Sequence, residues 1–107
     1  MAYNGDVDLR LLTTFSTVAE LGSVSGAAEA LHVTQPALSR QLQQLERQVA
    51  VELFHRHHRR LTLTAAGHAF LAAARDVIAS AEAARSLADT LAAGRLQRVR
   101  VAAPNPS

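Results

Sequence analysis

The stretch HVTQPALSRQLQQLERQV, residues 32–49, constrains this chain more than any other. Leu38, Leu42, Leu45 and Val49 recur at i, i+4, i+7 and i+11, the spacing of one buried helical stripe. Pro36 forbids a helix that simply runs through from earlier residues, because proline lacks the N–H and its ring clashes with the preceding turn. Both facts are met if a helix begins at this point. Thr34 then caps the first turn, and Gln35 and Pro36 occupy positions whose N–H groups have no helical partner anyway. The proline marks a start, and any helix before it is a separate element. On the side opposite the leucines, Pro36, Ser39, Arg40 and Gln43 repeat at i, i+3, i+4 and i+7 as a polar face.

The preceding residues supply two more helices. Asp8 caps LRLLTTFSTVAELG, in which Leu12, Phe15, Val18 and Ala19 share a face with Leu11 at its edge, and Gly22 is a natural stop. In SVSGAAEALHV, Ser25 is the expected cap of a short alanine-rich helix, with Ala27, Ala28 and Leu31 turned inward. A short helix, a link of roughly three residues and a second helix with an exposed polar face is the helix-turn-helix plan.

VELFHRHHRRLTLT then breaks the helical period. Leu61 and Leu63 alternate with Thr62 and Thr64, as in a strand, and ELF is its expected antiparallel partner across a basic tip, HRHHRR. Such a hairpin beside a helix-turn-helix is a wing. From Ala65 to Ala93 only Gly67 interrupts a helical pattern. Phe70, Val77, Ala84 and Leu91 repeat every seven residues, flanked by Ala74, Ala81 and Ala88. A seam this long on one helix needs a cover, and its small residues allow close approach. We expect a dimerisation helix paired with a second copy. Gly94 is the expected end, and Val99 and Val101, alternating with Arg98 and Arg100, suggest a short strand that opens a further domain.

The expected fold is mostly α: a winged helix-turn-helix of three helices and a two-stranded wing, followed by a long dimerisation linker helix. The expected division is a disordered lead over 1–6, the winged helix-turn-helix over 7–64, the dimerisation helix over 65–94, and the start of a further domain over 95–107. Abundant alanine and scarce aromatics agree with helices.

All 11 basic residues are arginine, among 107 residues of net charge +2. Arginine suits bidentate contacts to phosphates and base edges, although a plain arginine bias is the blander account. With no cysteine, disulfides and zinc fingers are excluded. No apolar run is long enough to span a membrane, and the polar start is not a secretion signal, so the expected location is cytoplasmic. No G-x-S-x-G, paired carboxylates or Gly-rich phosphate loop is present, so neither an enzyme nor a cofactor site is expected. His55, His57 and His58 raise a metal site, but Arg56, Arg59 and Arg60 would repel a cation and no carboxylate or cysteine lies nearby. The alternatives are a solvated tip, or a phosphate contact that weakens as the histidines lose protons. The polar face of the second motif helix points to double-stranded DNA. A helix fits the major groove, Gln and Arg read adenine and guanine edges, and Ser39 with helix-start N–H groups holds phosphates. The competing account is a protein-interaction module whose polar face is merely solvated.

DLRLLTTFSTVAELGSVSGAAEALHVTQPALSRQLQQLE, then LF, RR and LTLTAAGHAFL, resemble the N-terminal part of the LysR-type transcriptional regulators over roughly residues 7–94. The resemblance implies a winged helix-turn-helix, with the motif over residues 24–43, a DNA-binding domain over 7–64, a linker helix over 65–94 and the start of an effector-binding domain over 95–107, in a bacterial, nucleoid-associated regulator that binds an inverted-repeat promoter site as a dimer. It implies antiparallel linker helices, a tetramer in the full-length protein, and a small-molecule effector bound only by a further domain. Gln35, Pro36, Ser39 and Arg40 would lie at the major groove, Thr34 at a phosphate, Arg59 at the minor groove and Arg56 nearer the wing base. Three positions depart from the family pattern: Ala50 for a glycine, His55 for a glutamate and Val24 for an aromatic residue. Alanine is disfavoured in a left-handed cap, so the helix is expected to run on or to end differently there.

Overall fold

The computed structural model describes residues 7–57 and 60–102. The elements run α1 (Leu9–Leu21), α2 (Val24–Leu31), α3 (Gln35–Val49), β1 (Phe54–His57), β2 (Arg60–Leu63) and α4 (Ala65–Ala102). The fold is the expected winged helix-turn-helix with a long terminal helix. The lead over residues 1–6 lies outside the described residues.

Local chemistry sets each boundary. Asp8 accepts a hydrogen bond from the Arg10 N–H at 2.9 Å, and Gly22 closes α1 in the left-handed conformation at φ 67°. The cap of α2 is Ser23, not Ser25. Ser23 stands in extended conformation directly after Gly22, and its Oγ accepts from the Gly26 N–H at 3.1 Å. Ser25 falls inside the first turn, where its hydroxyl lies 3.1 Å from that of Ser23. Thr34 caps α3 as expected, accepting from the Ala37 N–H at 3.2 Å, with Pro36 in the first turn. The helix does not run on at its far end. It stops at Val49, and Ala50 takes the left-handed position itself at φ 62°.

Strands β1 and β2 pair antiparallel, with Phe54 opposite Leu63 and His57 opposite Arg60. The first strand starts two residues later than ELF suggests, since Glu52 and Leu53 precede the ladder. The wing is tied to the body by Thr64, whose N–H bonds to the Leu53 carbonyl at 3.0 Å and whose Oγ1 donates to the Glu52 carbonyl at 2.7 Å. The same Oγ1 accepts from the Gly67 N–H at 2.8 Å and so caps α4. Gly67 is required here, because a Cβ would collide with the Leu53 carbonyl oxygen.

The core gathers Leu11, Leu12, Phe15 and Val18 of α1, Ala27 and Ala28 of α2, and the leucine stripe of α3, with Leu53, Phe54, Leu61, Leu71 and Ala74 closing it. Phe15 is fully buried at its centre, 5.3 Å from the Phe54 ring and 5.5 Å from the Phe70 ring. These edge and tilted geometries suit the aromatic quadrupole.

Helix α4 corrects two expectations. It passes through Gly94 and continues to Ala102, so Arg98–Ala102 is helical where a strand was expected. One glycine costs a helix interior about 1 kcal/mol, too little to end it without a left-handed turn. The seam also divides. Phe70 and Ala74 pack into the chain's own core, and Ala81 is half-buried, whereas Val77, Ala84, Ala88 and Leu91 are exposed. A strict seven-residue repeat drifts by about 20° per heptad around a straight helix, so the later positions turn away from the domain.

Candidate nucleic-acid interface

The polar face of α3 is held outward by what lies behind it. Leu38, Leu42 and Leu45 are buried on the side of α3 that packs against α1 and α2, which leaves Gln35, Pro36, Arg40, Gln43, Gln44 and Arg47 exposed and Ser39 half-buried. Rotation about the helix axis is fixed by a polar contact with no signal in the periodicity. The Thr14 hydroxyl, buried on α1, donates to Gln41 Oε1 at 2.7 Å. Among the described residues, Arg40 and Arg47 take part in no salt bridge, so both guanidinium groups keep their donors free. Arg47 joins Arg40, Gln43 and Gln44 along one shallow concavity, although only Arg40 and Gln43 were singled out from the sequence.

A second concavity lies where the starts of α2 and α3 meet, lined by Ser23, Ser25, Gly26, Glu29, Val33, Thr34 and Gln35 among others. Thr34 accepts the Ala37 N–H through Oγ1, which leaves its hydroxyl proton to donate outward.

On the wing, Phe54 faces the core while His55 and His57 lie on the outer face. Their rings are 6.2 Å apart and exposed, with Thr62 and Arg60 as cross-strand partners. Among the described residues there is no group of three or more metal-ligating side chains. His58 and Arg59 lie outside the described residues. Arg56 is not free. Its Nη2 donates to Glu46 Oε1 at 3.1 Å, so its charge is already engaged by α3. Glu46 also accepts the Leu53 and Phe54 N–H groups, and nothing in the sequence pattern singles it out.

The model of the family described as bacterial regulatory helix-turn-helix protein, lysR family, matches residues 9–68. The HTH-type transcriptional regulator ClcR of Pseudomonas putida is 41% identical over 96 residues, covering 90% of this chain and 33% of its own length. TcbR of Pseudomonas sp. (strain P51) is 49% identical over 72 residues, covering 67% of this chain and 24% of its own. The chain therefore spans only about a quarter to a third of these curated relatives. The crystal structure of a CbnR DBD–DNA complex superposes with TM-score 0.75 at 43% identity, covering 80% of this chain and 99% of that one. A BenM DBD complex with catB site 1 DNA gives TM-score 0.78 at 34% identity, covering 83% and 96%. No helix among the described residues is long and apolar enough to cross a membrane.

Proposed function

The chain belongs to the LysR family of bacterial helix-turn-helix regulators, and on that premise we propose that it is a sequence-specific reader of double-stranded DNA. The observation that carries this reading is the exposed face of α3, with Arg40 free of ion-pair partners on a helix whose other side is buried. Similarity to domains solved on DNA supports it. In the complex, α3 enters the major groove, where Gln35, Pro36, Ser39, Arg40 and Gln43 meet base edges and Thr34 meets a phosphate. Arg59 reaches the adjacent minor groove. Regulators of this kind are binding proteins, and the proposed role involves no catalysis and no cofactor. The setting is the bacterial cytoplasm, at the nucleoid.

Two copies joined through α4 place two reading helices on an inverted repeat. The exposed apolar residues Val77, Ala84, Ala88 and Leu91 and the half-buried Ala81 support that pairing, with Phe70 and Ala74 bracing the helix from within each chain. A tetramer and a small-molecule effector belong to the longer regulator, through a further domain after α4.

Selection from random duplex DNA at two salt concentrations tests the reading. An enriched inverted repeat that is lost with Arg40→Ala supports a dimeric reader. Salt-sensitive retention without any enriched motif reduces the domain to a phosphate grip. Dimerisation with no DNA retention favours the protein-interaction module.

A further inference from the structure

We propose that Glu46 is a positioning residue that sets the wing against the reading helix, and that Arg56 acts on DNA only through it. This inference rests on the DNA-binding reading. The Glu46 carboxylate stands in the last turns of α3, with its side chain 13% exposed. Oε2 accepts the Leu53 N–H at 2.7 Å and the Phe54 N–H at 3.2 Å. Oε1 accepts Arg56 Nη2 at 3.1 Å. One side chain of the reading helix thus holds the strand entry, the first ladder residue and the charge of the third residue of β1.

The three donors come from β1 and the residue just before it, so the carboxylate fixes both where β1 starts and how it is rotated. Nothing else described performs that task at this end of α3. Ala50, Val51, Glu52 and Leu53 carry the chain from α3 to β1, and of these Ala50, Val51 and Glu52 are exposed. Thr64 anchors the hairpin from the α4 side instead. Burial of Leu53, Phe54 and Leu61 seats the base of the hairpin in the core, and the polar anchors at Glu46 and Thr64 set its angle, which keeps a fixed distance between groove contacts made by α3 and those made at the wing tip. Released at Glu46, the entry to β1 loosens while Thr64 and the buried Leu53, Phe54 and Leu61 keep the base of the hairpin in place.

This assignment separates two roles for Arg56. If its guanidinium gripped a phosphate, Arg56→Ala would lower the salt slope of binding by about one. Acting through Glu46, it leaves that slope unchanged.

The test measures affinity of the wild type, Glu46→Gln, Arg56→Ala and the double variant for a selected site, across a salt series, with thermal melting and amide hydrogen exchange alongside. Expected are losses of about tenfold for each single variant, since charge-assisted bonds are at stake. The double variant loses no more than the worse single variant, the salt slopes match wild type, and the Leu53 and Phe54 amides exchange faster in Glu46→Gln. The footprint should shrink at the wing and stay intact at the α3 contacts. A slope reduced by one in Arg56→Ala, additive losses, or unchanged exchange at Leu53 and Phe54 overturns the proposal. Arg56 is exposed, so Arg56→Ala keeps the question answerable if Glu46→Gln unfolds. Failure of the wild type to bind any duplex sinks the DNA reading by itself, while the exchange data still report whether Glu46 holds the wing.

Discussion

Ala50 sits at φ 62°, in a conformation that puts its Cβ against the following carbonyl. His32 does the same at φ 58° at the end of α2. Gly22, at the corresponding place on α1, carries no such penalty. Ala50→Gly removes the strain but adds freedom to the unfolded chain, and the strain is the larger of the two effects. The expected result is a gain of about 0.5–1 kcal/mol, read as a higher urea midpoint at unchanged m-value. An unchanged midpoint would mean the strain is already relaxed. On the reading face, Arg40→Ala should cost about 1–3 kcal/mol of binding and relax base preference at one position. Arg59→Ala should weaken all sites alike or lose A·T preference beside the wing. Competition assays against single-base variants of the selected site separate the two.

At the scale of elements, the legible parts were those decided within one turn of chain. Thr34, Pro36 and the leucine stripe of α3 could be read because a cap and a buried face are local facts. Ser23 was misread as Ser25 because two serines compete, and Gly22 settles the matter only once its left-handed turn is known. Glu46 and the Thr14–Gln41 bond could not be read at all. Each depends on how a distant segment returns, over a sequence separation of seven residues or more in the first case and 27 in the second. In α4, the seven-residue repeat was real but spanned two surfaces. Leu87 and Leu91, 58% and 63% exposed, are the residues to test. Leu91→Asp should leave monomer melting within about 0.5 kcal/mol, as surface changes do, yet lower the apparent mass in sedimentation. Phe70→Ala should instead cost about 3–5 kcal/mol, because it opens the aromatic cluster around Phe15. If Leu91→Asp melts early and leaves the mass unchanged, the stripe serves the fold and not association.

The whole molecule extends 73 × 35 × 20 Å, because α4 continues far beyond the body it starts on. Buried contact ends at Ala74, with Ile78 and Ala81 half-covered, and from Glu82 to Arg95 every residue is exposed. The outer length of the helix therefore behaves as a shaft keyed to the domain at one end only. Each residue turns that shaft by about 100° and lengthens it by about 1.5 Å. Its length is consequently indexed, like the teeth of a gear, and not continuously adjustable. Seven residues inserted after Ala81 rotate the exposed stripe by only about 20° and should preserve self-association. Two inserted residues swing it by about 200° and should abolish it, with the domain's own melting unchanged in both cases. If two copies pair along this stripe as proposed, the separation of their α3 helices can change only in steps that bring the shaft back into phase.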